Sequence, residues 1–489
     1  MAKKTAVVDL GSNSIRMVIF EKTSRYGFYT TCEYKRKVRL GENSYNNGKI
    51  LQEEAMQKAE NALKFFKQCS LKHKCKKIFI IGTSALRDAP NSKEFIKRIK
   101  TNLNLNIRCI DGKEESYLGG LAALNLLSPF KDATTLDIGG GSSELCLIKN
   151  NKIVSCISLD IGTVRLKELF FDKGKTAKSL NQFIDPILKQ IPKEFCNHNL
   201  IAIGGSLRAI SNSIMQKNSY PLKNLHDFRY DLEDEREHIE KILEAKVDSL
   251  ANFGIKKDRF DTIKKGIFIF LKIAQKLNTK HIITSGVGIR EGIYLKDLLR
   301  PNNHFPTNFN PSLKSLQDRF LQENKNNHTA KFAMQLFNVL KNIHKIHDYY
   351  KQSLLAAAKL CHIGEYLNFY FSNEHSAHFV LGGLNYGFSH KEKVLIANII
   401  KLNGKKINPY NLEPHKQLLP NFHILSWLNF ILNLAKTLNN ANESKINFSV
   451  LDNTLYIFNE FKELNLPKEE LKKIAKIKNL SIIFSDVAL

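Results

Sequence analysis

Apolar residues follow two rhythms along this chain. Over the first 300 positions short apolar runs alternate with segments of helical spacing; after Arg300-Pro301-Asn302-Asn303 the helical spacing dominates. Ala55, Ala59, Ala62, Leu63 and Phe66 share one helical face, which predicts a helix over 52–68. Residues 77–82 read as a short buried strand and 114–127 as an amphipathic helix entered from Asp111-Gly112. Helices are expected over 233–249 and 258–277, and a strand over 281–285 ahead of Gly286-Val287-Gly288. That alternation predicts sheets covered by helices. Past the connector, 330–351, 353–369, 390–402 and 422–438 have helix length and amphipathic spacing, so 301–489 is expected to be helical.

Two segments echo one another. Ala6-Val7-Val8-Asp9-Leu10-Gly11-Ser12-Asn13-Ser14 leads into Ile15-Arg16-Met17-Val18-Ile19-Phe20, and Thr134-Thr135-Leu136-Asp137-Ile138-Gly139-Gly140-Gly141-Ser142 leads into Ser143-Glu144-Leu145-Cys146-Leu147-Ile148. Each predicts a β-hairpin with a tip of small residues. A second echo joins Ile81-Gly82-Thr83-Ser84-Ala85-Leu86-Arg87 to Ile203-Gly204-Gly205-Ser206-Leu207-Arg208. The members lie 128 and 122 residues apart and keep their order, which predicts a duplicated domain. The expected domains are 1–125, 126–300 and 301–489.

Composition narrows the picture without choosing a function. A length of 489 residues fits roughly three domains. With 43% apolar and 25% charged residues, wholesale disorder is excluded. No run reaches the roughly 20 apolar residues of a membrane span. Asp9 breaks the apolar segment after Lys3 and Lys4, so no secretory signal is expected. Cys32, Cys69, Cys75, Cys109, Cys146, Cys156, Cys196 and Cys361 form no CxxC, and read as reduced, mostly buried thiols of a cytosolic protein. The net charge is +27, and every third of the chain is basic. The excess is richest at Lys35-Arg36-Lys37-Val38-Arg39 and Lys72-His73-Lys74-Cys75-Lys76-Lys77. Such a field suits nucleic acid, an acidic membrane surface or a polyphosphorylated molecule, and suits plain solubility equally well.

The hairpin tips carry the candidate chemistry. Glycines let backbone N–H groups approach an anion, serine hydroxyls add donors, and an aspartate at a strand end can hold a hard cation. Two such tips facing one another would clamp a phosphate. Glu144, opening the outgoing strand, could share a metal with Asp137 or face solvent. Glu114 and Glu115 open a helix, where acids complement the dipole in any case. Arg87 and Arg208 could grip phosphoryl oxygens or cap a helix.

Together, Asp9-Leu10-Gly11-Ser12-Asn13-Ser14, Gly82-Thr83-Ser84-Ala85-Leu86-Arg87, Gly112-Lys113-Glu114-Glu115, Asp137-Ile138-Gly139-Gly140-Gly141-Ser142-Ser143-Glu144 and Gly204-Gly205-Ser206 resemble the Ppx/GppA phosphatase family. The resemblance implies two duplicated actin-like (ribonuclease H-like) α/β domains with an interdomain cleft, plus a C-terminal all-α HD-like domain. It implies Mg2+-dependent removal of terminal phosphate from inorganic polyphosphate or pppGpp, and a homodimer. Glu115 matches the family's catalytic glutamate and Arg87 an arginine on the terminal phosphate. Asn13, Ser14, Gly139, Gly140, Gly141, Ser142, Ser143, Gly205 and Ser206 match the phosphate cradle. Asp137 and Glu144 match metal-associated acids, with Asp9 a third. Lys35, Arg36, Lys37 and Arg39 would line a polyanion groove. In the helical part, Cys361-His362-Ile363 and His375-Ser376-Ala377-His378 resemble an HD domain, with Ile363 where the metal-binding Asp would stand; His347-Asp348 lies about one helix too early.

Two other classes remain open at this level. A sugar- or acetate-type kinase would use the same hairpins with ATP, although the Glu-Glu helix start favours water as acceptor. A non-catalytic polyanion-binding regulator would fit the charge, but one Trp (Trp427) and no nucleic-acid-binding motif make nucleic acid an unfavoured partner. No membrane partner is expected.

Overall fold

The computed structural model describes residues 3–174, 177–321, 328–439, 446–459 and 464–485. The chain divides into two compact units, Met1–Phe309 and Asn310–Leu489. Among the described residues no single helix is long and apolar enough to cross a membrane.

In the first unit the alternating apolar residues build two sheets of like topology. β1 (Lys3–Leu10), β2 (Ser14–Lys22), β3 (Phe28–Lys37), β4 (Lys77–Gly82) and β5 (Ile107–Cys109) run in the order β3-β2-β1-β4-β5. β6 (Asp132–Ile138), β7 (Ser143–Lys149), β8 (Lys152–Leu159), β9 (Asn199–Ile203), β10 (Phe228–Asp231) and β11 (His281–Thr284) run in the order β10-β11-β9-β6-β7-β8. Each sheet starts as an antiparallel meander and continues with two parallel strands. β10 adds an antiparallel edge to the second sheet.

Strand periodicity decides which residues face which helices. Ala6, Val8, Leu10, Ile15, Met17 and Ile19 share a core with Phe66 of the Glu53–Lys72 helix and Phe95 of the Ser92–Leu103 helix. Leu136, Ile138, Leu145 and Leu147 do the same with the Gly205–Lys217 and Ile263–Leu277 helices. The opposite faces are covered by helices that change sides. The Gly112–Leu126 helix, early in the chain, lies on the second sheet, where Ser116 Oγ donates to the Leu145 carbonyl at 2.6 Å. The Ile289–Leu298 helix, late in the chain, lies on the first, where Tyr294 stacks on Phe20 at 4.4 Å. These two helices cross closely: a Cβ at Gly292 would stand 2.0 Å from the Leu118 carbonyl oxygen. A cut at 125/126 therefore assigns to the first domain a helix that packs on the second sheet. The unit boundary also falls at 309/310 rather than 300/301, because Phe305 and Phe309 pack edge-on against Tyr26.

The second unit departs from the expectation of an all-α domain, since it also holds a sheet. Its core gathers Phe332, Leu336, Leu354, Ile396, Leu428 and Ile431 from the Thr329–Val339, Lys351–Leu360, His390–Leu402 and Phe422–Asn439 helices. Beside them β12 (Ile446–Leu451), β13 (Thr454–Asn459) and β14 (Ser481–Ser485) form a sheet. Asp452 and Asn453, at φ 46° and 60°, make the two-residue turn that joins β12 to β13. Without a glycine, that turn left little signal. The helix expected over 330–351 breaks near Lys345, whose φ is 53°. Asp348 pairs with Lys341 and Lys351, and His362 with Glu365 at 2.7 Å. Of the eight cysteines only Cys146 and Cys361 are buried, and Cys109 and Cys196 are exposed, so the thiols are less buried than expected.

Candidate active site

Register places each hairpin tip. β1 and β2 pair Asp9 with Arg16 and Leu10 with Ile15; β6 and β7 pair Asp137 with Glu144 and Ile138 with Ser143. Directly opposed residues of antiparallel strands project to the same face. Asp9–Arg16 and Asp137–Glu144 are therefore equivalent rungs, with Arg16 standing where the second sheet has Glu144.

The two tips meet. A Cβ at Gly140 would lie 2.8 Å from Ser12 Cβ, and one at Gly141 would lie 2.6 Å from Ser84 Oγ. Ser12 Oγ and Ser84 Oγ are hydrogen-bonded at 3.0 Å. Gly204, at φ 91°, passes so close to Asp137 that a Cβ would stand 2.4 Å from Oδ1, so only glycine serves there. Beside this contact lies a cavity of about 160 Å³. Asn13, Ser14, Gly139, Gly140, Gly205 and Ser206 line it. Ser206 sits in the first turn of the Gly205–Lys217 helix, where the dipole favours an anion. Arg16, Lys35, Lys37, Arg208, Arg259 and Arg290 line the same space against the carboxylates of Asp9, Asp137 and Asp258, which makes it cationic.

Three expected cradle residues are engaged elsewhere. Ser143 Oγ is buried and donates to the Ile161 carbonyl at 2.6 Å, Gly141 packs against Tyr45 and Ser84, and Ser142 Oγ accepts from Arg87 Nη2 at 3.3 Å. A tight tip uses its inner residues to hold its own shape. Of the basic run, Arg36 stacks on the Phe65 ring at 4.2 Å and Arg39 pairs with Asp261 at 3.1 Å. Lys35, which does line the cavity, pairs with Asp258 at 2.6 Å.

Glu115 and Glu144 form a second group beside the cavity rather than on its wall. Arg87 Nη1 donates to Glu115 Oε2 at 3.0 Å and to the Ile110 carbonyl at 3.4 Å. Ser158 Oγ donates to Glu144 Oε1 at 2.9 Å. Asp111 caps the helix by accepting from the Glu114 N–H at 2.7 Å, and Glu114 itself pairs with Arg108 and Lys296. Burial pushes Glu115 well above the usual carboxylate range, with the charge of Glu144 adding and Arg87 opposing. Burial pushes Glu144 up to about 7, opposed by its hydrogen bonds from Ser142 and Ser158 and reinforced by Asp137. Asp9 is raised to about 6 by burial against the pull of Arg290 and Arg16, and Asp137 is raised by burial against Arg208, Arg290 and Arg16.

The donor set partly fits a metal. Asp9 Oδ1 is shut away from solvent with no hydrogen-bond partner among the described residues, an orphaned oxygen that a cation would satisfy. The expected triple of Asp9, Asp137 and Glu144 does not converge, and among the described residues no three acidic, His or Cys side chains gather to hold an ion. Glu144 is turned to Ser158, so of the three only Asp9 and Asp137 line the cavity. Two carboxylates suffice for a hard cation that also takes water and substrate oxygens.

Sequence reasoning missed Arg16, Arg259 and Arg290. Arg16 had a signal, since it follows Asp9 by the interval that separates Glu144 from Asp137. Arg259, whose guanidinium lies over Gly205, and Arg290, which donates to Glu33 at 2.6 Å, reach the site through tertiary packing alone. Burial pulls Arg208 down to about 10, and the carbonyls of Ser285 and Val287 hold it at 2.7 and 3.0 Å.

Comparison with known proteins agrees with this geometry. Residues 18–301 match the model of the Ppx/GppA phosphatase family, and residues 310–478 match Ppx/GppA phosphatase, domain III. A Photobacterium profundum protein named guanosine-5'-triphosphate,3'-diphosphate pyrophosphatase is 26% identical over 410 residues, covering 81% of this chain and 79% of that protein. The crystal structure of an Aquifex aeolicus member of the Ppx/GppA family matches with a TM-score of 0.53 and 26% identity, covering 62% of this chain and 99% of that one. An exopolyphosphatase from Cytophaga hutchinsonii matches in fold, with a TM-score of 0.56, 23% identity, and coverage of 62% and 100%. Paired actin-like sheets, meeting tips and sequence likeness converge on one conclusion: the chain belongs to the Ppx/GppA phosphatase family and hydrolyses phosphoanhydride bonds.

Proposed function

We propose that the chain releases terminal phosphate from inorganic polyphosphate or from pppGpp, with Mg2+, in the cytoplasm and as a homodimer. One observation carries this reading: two tips of small residues touch beside a cationic cavity, with a buried carboxylate pair next to them. The Photobacterium relative, named for pppGpp, supports the nucleotide as one substrate. The net charge of +27 supports a longer polyanion as the other.

A phosphoanhydride is kinetically inert, so the protein's work is positioning and charge neutralisation. Glu115 has Oε2 tied to Arg87, and its Oε1 is free to accept the proton of the attacking water. Glu144 keeps the pair's shared charge low enough for one carboxylate to hold a proton while the other acts as base. Arg16, Arg208, Arg259 and Arg290 offset the charge on the phosphoryl oxygens. Asp9 and Asp137 would hold Mg2+, which when bound neutralises and orients the phosphoryl oxygens. The test is phosphate release by purified protein from long polyphosphate and from pppGpp in parallel, with Mg2+ and with EDTA. Release from at least one substrate, lost in EDTA, is expected; no release from either with Mg2+ present would remove the reading.

A further inference from the structure

Below the Glu144–Ser158 contact lies a rung that the hydrolysis does not use. In the antiparallel pairing of β7 with β8, Glu144 opposes Ser158 and Cys146 opposes Cys156, so these are successive rungs on one face. The Cys146 N–H points the other way, to Thr135 Oγ1 at 3.1 Å on β6. On the β8 side Cys146 and Cys156 thus face each other as a non-hydrogen-bonded pair, the closely spaced kind, with Cα atoms about 4.5 Å apart. That spacing falls within the range a disulfide spans. The neighbouring Cys146 thiol holds Cys156 below the ordinary thiol range. Cys146 is buried and Cys156 is half-buried, so an oxidant reaches one partner and the other is kept in reserve.

The same face carries the helix that presents Glu115. A Cβ at Gly120 would lie 2.3 Å from Cys146 Sγ, and one at Gly112 would lie 2.3 Å from Ser158 Cβ. Between them Ser116, the residue after Glu115, is tied to the Leu145 carbonyl. The helix backbone therefore rests directly on the sulfur. Turning Cys146 Sγ toward Cys156 would remove that support and draw on the strand whose Ser158 holds Glu144.

We propose that Cys146 and Cys156 are a reversible oxidation site, whose disulfide lowers activity by shifting the Gly112–Leu126 helix and the Ser158 hold on Glu144. With hydrogen peroxide as the oxidant, the Cys156 thiolate attacks one peroxide oxygen; the O–O bond breaks, and a sulfenic acid and water form once a proton is taken up. Cys146 sulfur then attacks Cys156 sulfur, displacing the sulfenic oxygen as a second water. Overall two thiols and one peroxide give one disulfide and two waters, and an added dithiol reverses the step.

The experiment treats reduced full-length protein with hydrogen peroxide, blocks free thiols, maps peptides and follows phosphate release from polyphosphate. A Cys146–Cys156 cross-linked peptide is expected, with the rate falling about tenfold or more, as small misplacements of catalytic groups cost, and returning with dithiothreitol. Cys156→Ser should keep the untreated rate and lose the peroxide response. Absence of the cross-link overturns the proposal, as does a cross-link at undiminished rate. Peroxide sensitivity that survives in Cys156→Ser and disappears in Cys109→Ser also overturns it, placing the effect on the exposed thiol. If Cys156→Ser fails to fold, peptide mapping and rate recovery in the unsubstituted protein still decide.

Discussion

In the proposed mechanism Glu115 and Glu144 carry the proton chemistry, and both are carboxylates that burial makes reluctant to ionise. Glu115→Gln keeps the size and the Arg87 contact but removes the base. Phosphate release should fall roughly a hundred- to ten-thousand-fold, with polyphosphate binding retained; turnover near that of the unsubstituted protein would exclude Glu115 as the base. The pH dependence follows from the direction of the shifts. Activity should rise through about pH 7 as the pair gives up its first proton, which leaves one carboxylate ionised to act as base and the other protonated. Stability should move the opposite way. Between the ordinary carboxylate value of 4.5 and about 7 the unfolded chain sheds this proton while the folded chain keeps it, so cation-free protein loses stability as pH rises through that window. Above it the loss levels off. Melting temperatures measured across the window in EDTA should decline, and Glu144→Gln should flatten the decline; equal slopes would show that other groups set it.

At the level of elements, the two crossing helices matter most. The Gly112–Leu126 helix lies on one sheet and the Ile289–Leu298 helix on the other, and Gly292 lets their backbones touch at Leu118. Here neither partner is a side chain that could turn aside. Gly292→Ala should cost about 1–3 kcal/mol by overpacking, and should lower activity as well, because Leu118 sits one turn from Glu115. The denaturation midpoint and the rate report the two effects separately; an unchanged midpoint would show that the crossing is looser than its geometry. The helix start was legible in the sequence, since Asp111 caps it and Glu114 and Glu115 follow, but which sheet the helix covers was not.

On the scale of the molecule, the charge of +27 is spread along the chain while Arg16, Arg208, Arg259 and Arg290 gather at the cavity. Under the proposed function a short substrate would meet mainly that cluster, and a long one would also meet the diffuse field. Affinity for long polyphosphate should therefore fall with rising salt more steeply than affinity for pppGpp, by the counterion release known for nucleic acids. Binding titrations over a salt series measure both slopes; equal slopes would confine recognition to the cavity.

The hairpins, their aspartates, the duplicated order of motifs and the Glu115 helix were readable along the chain, because turns, caps and period-two strands are local properties of neighbouring residues. What only the fold decided is long-range. The side-swapping of the two helices, the arrival of Arg259 and Arg290, the inward turn of the Ser143 hydroxyl and the glycine-free Asp452-Asn453 hairpin depend on which surfaces pack together. Packing joins residues more than a hundred positions apart, and no window of sequence contains both partners.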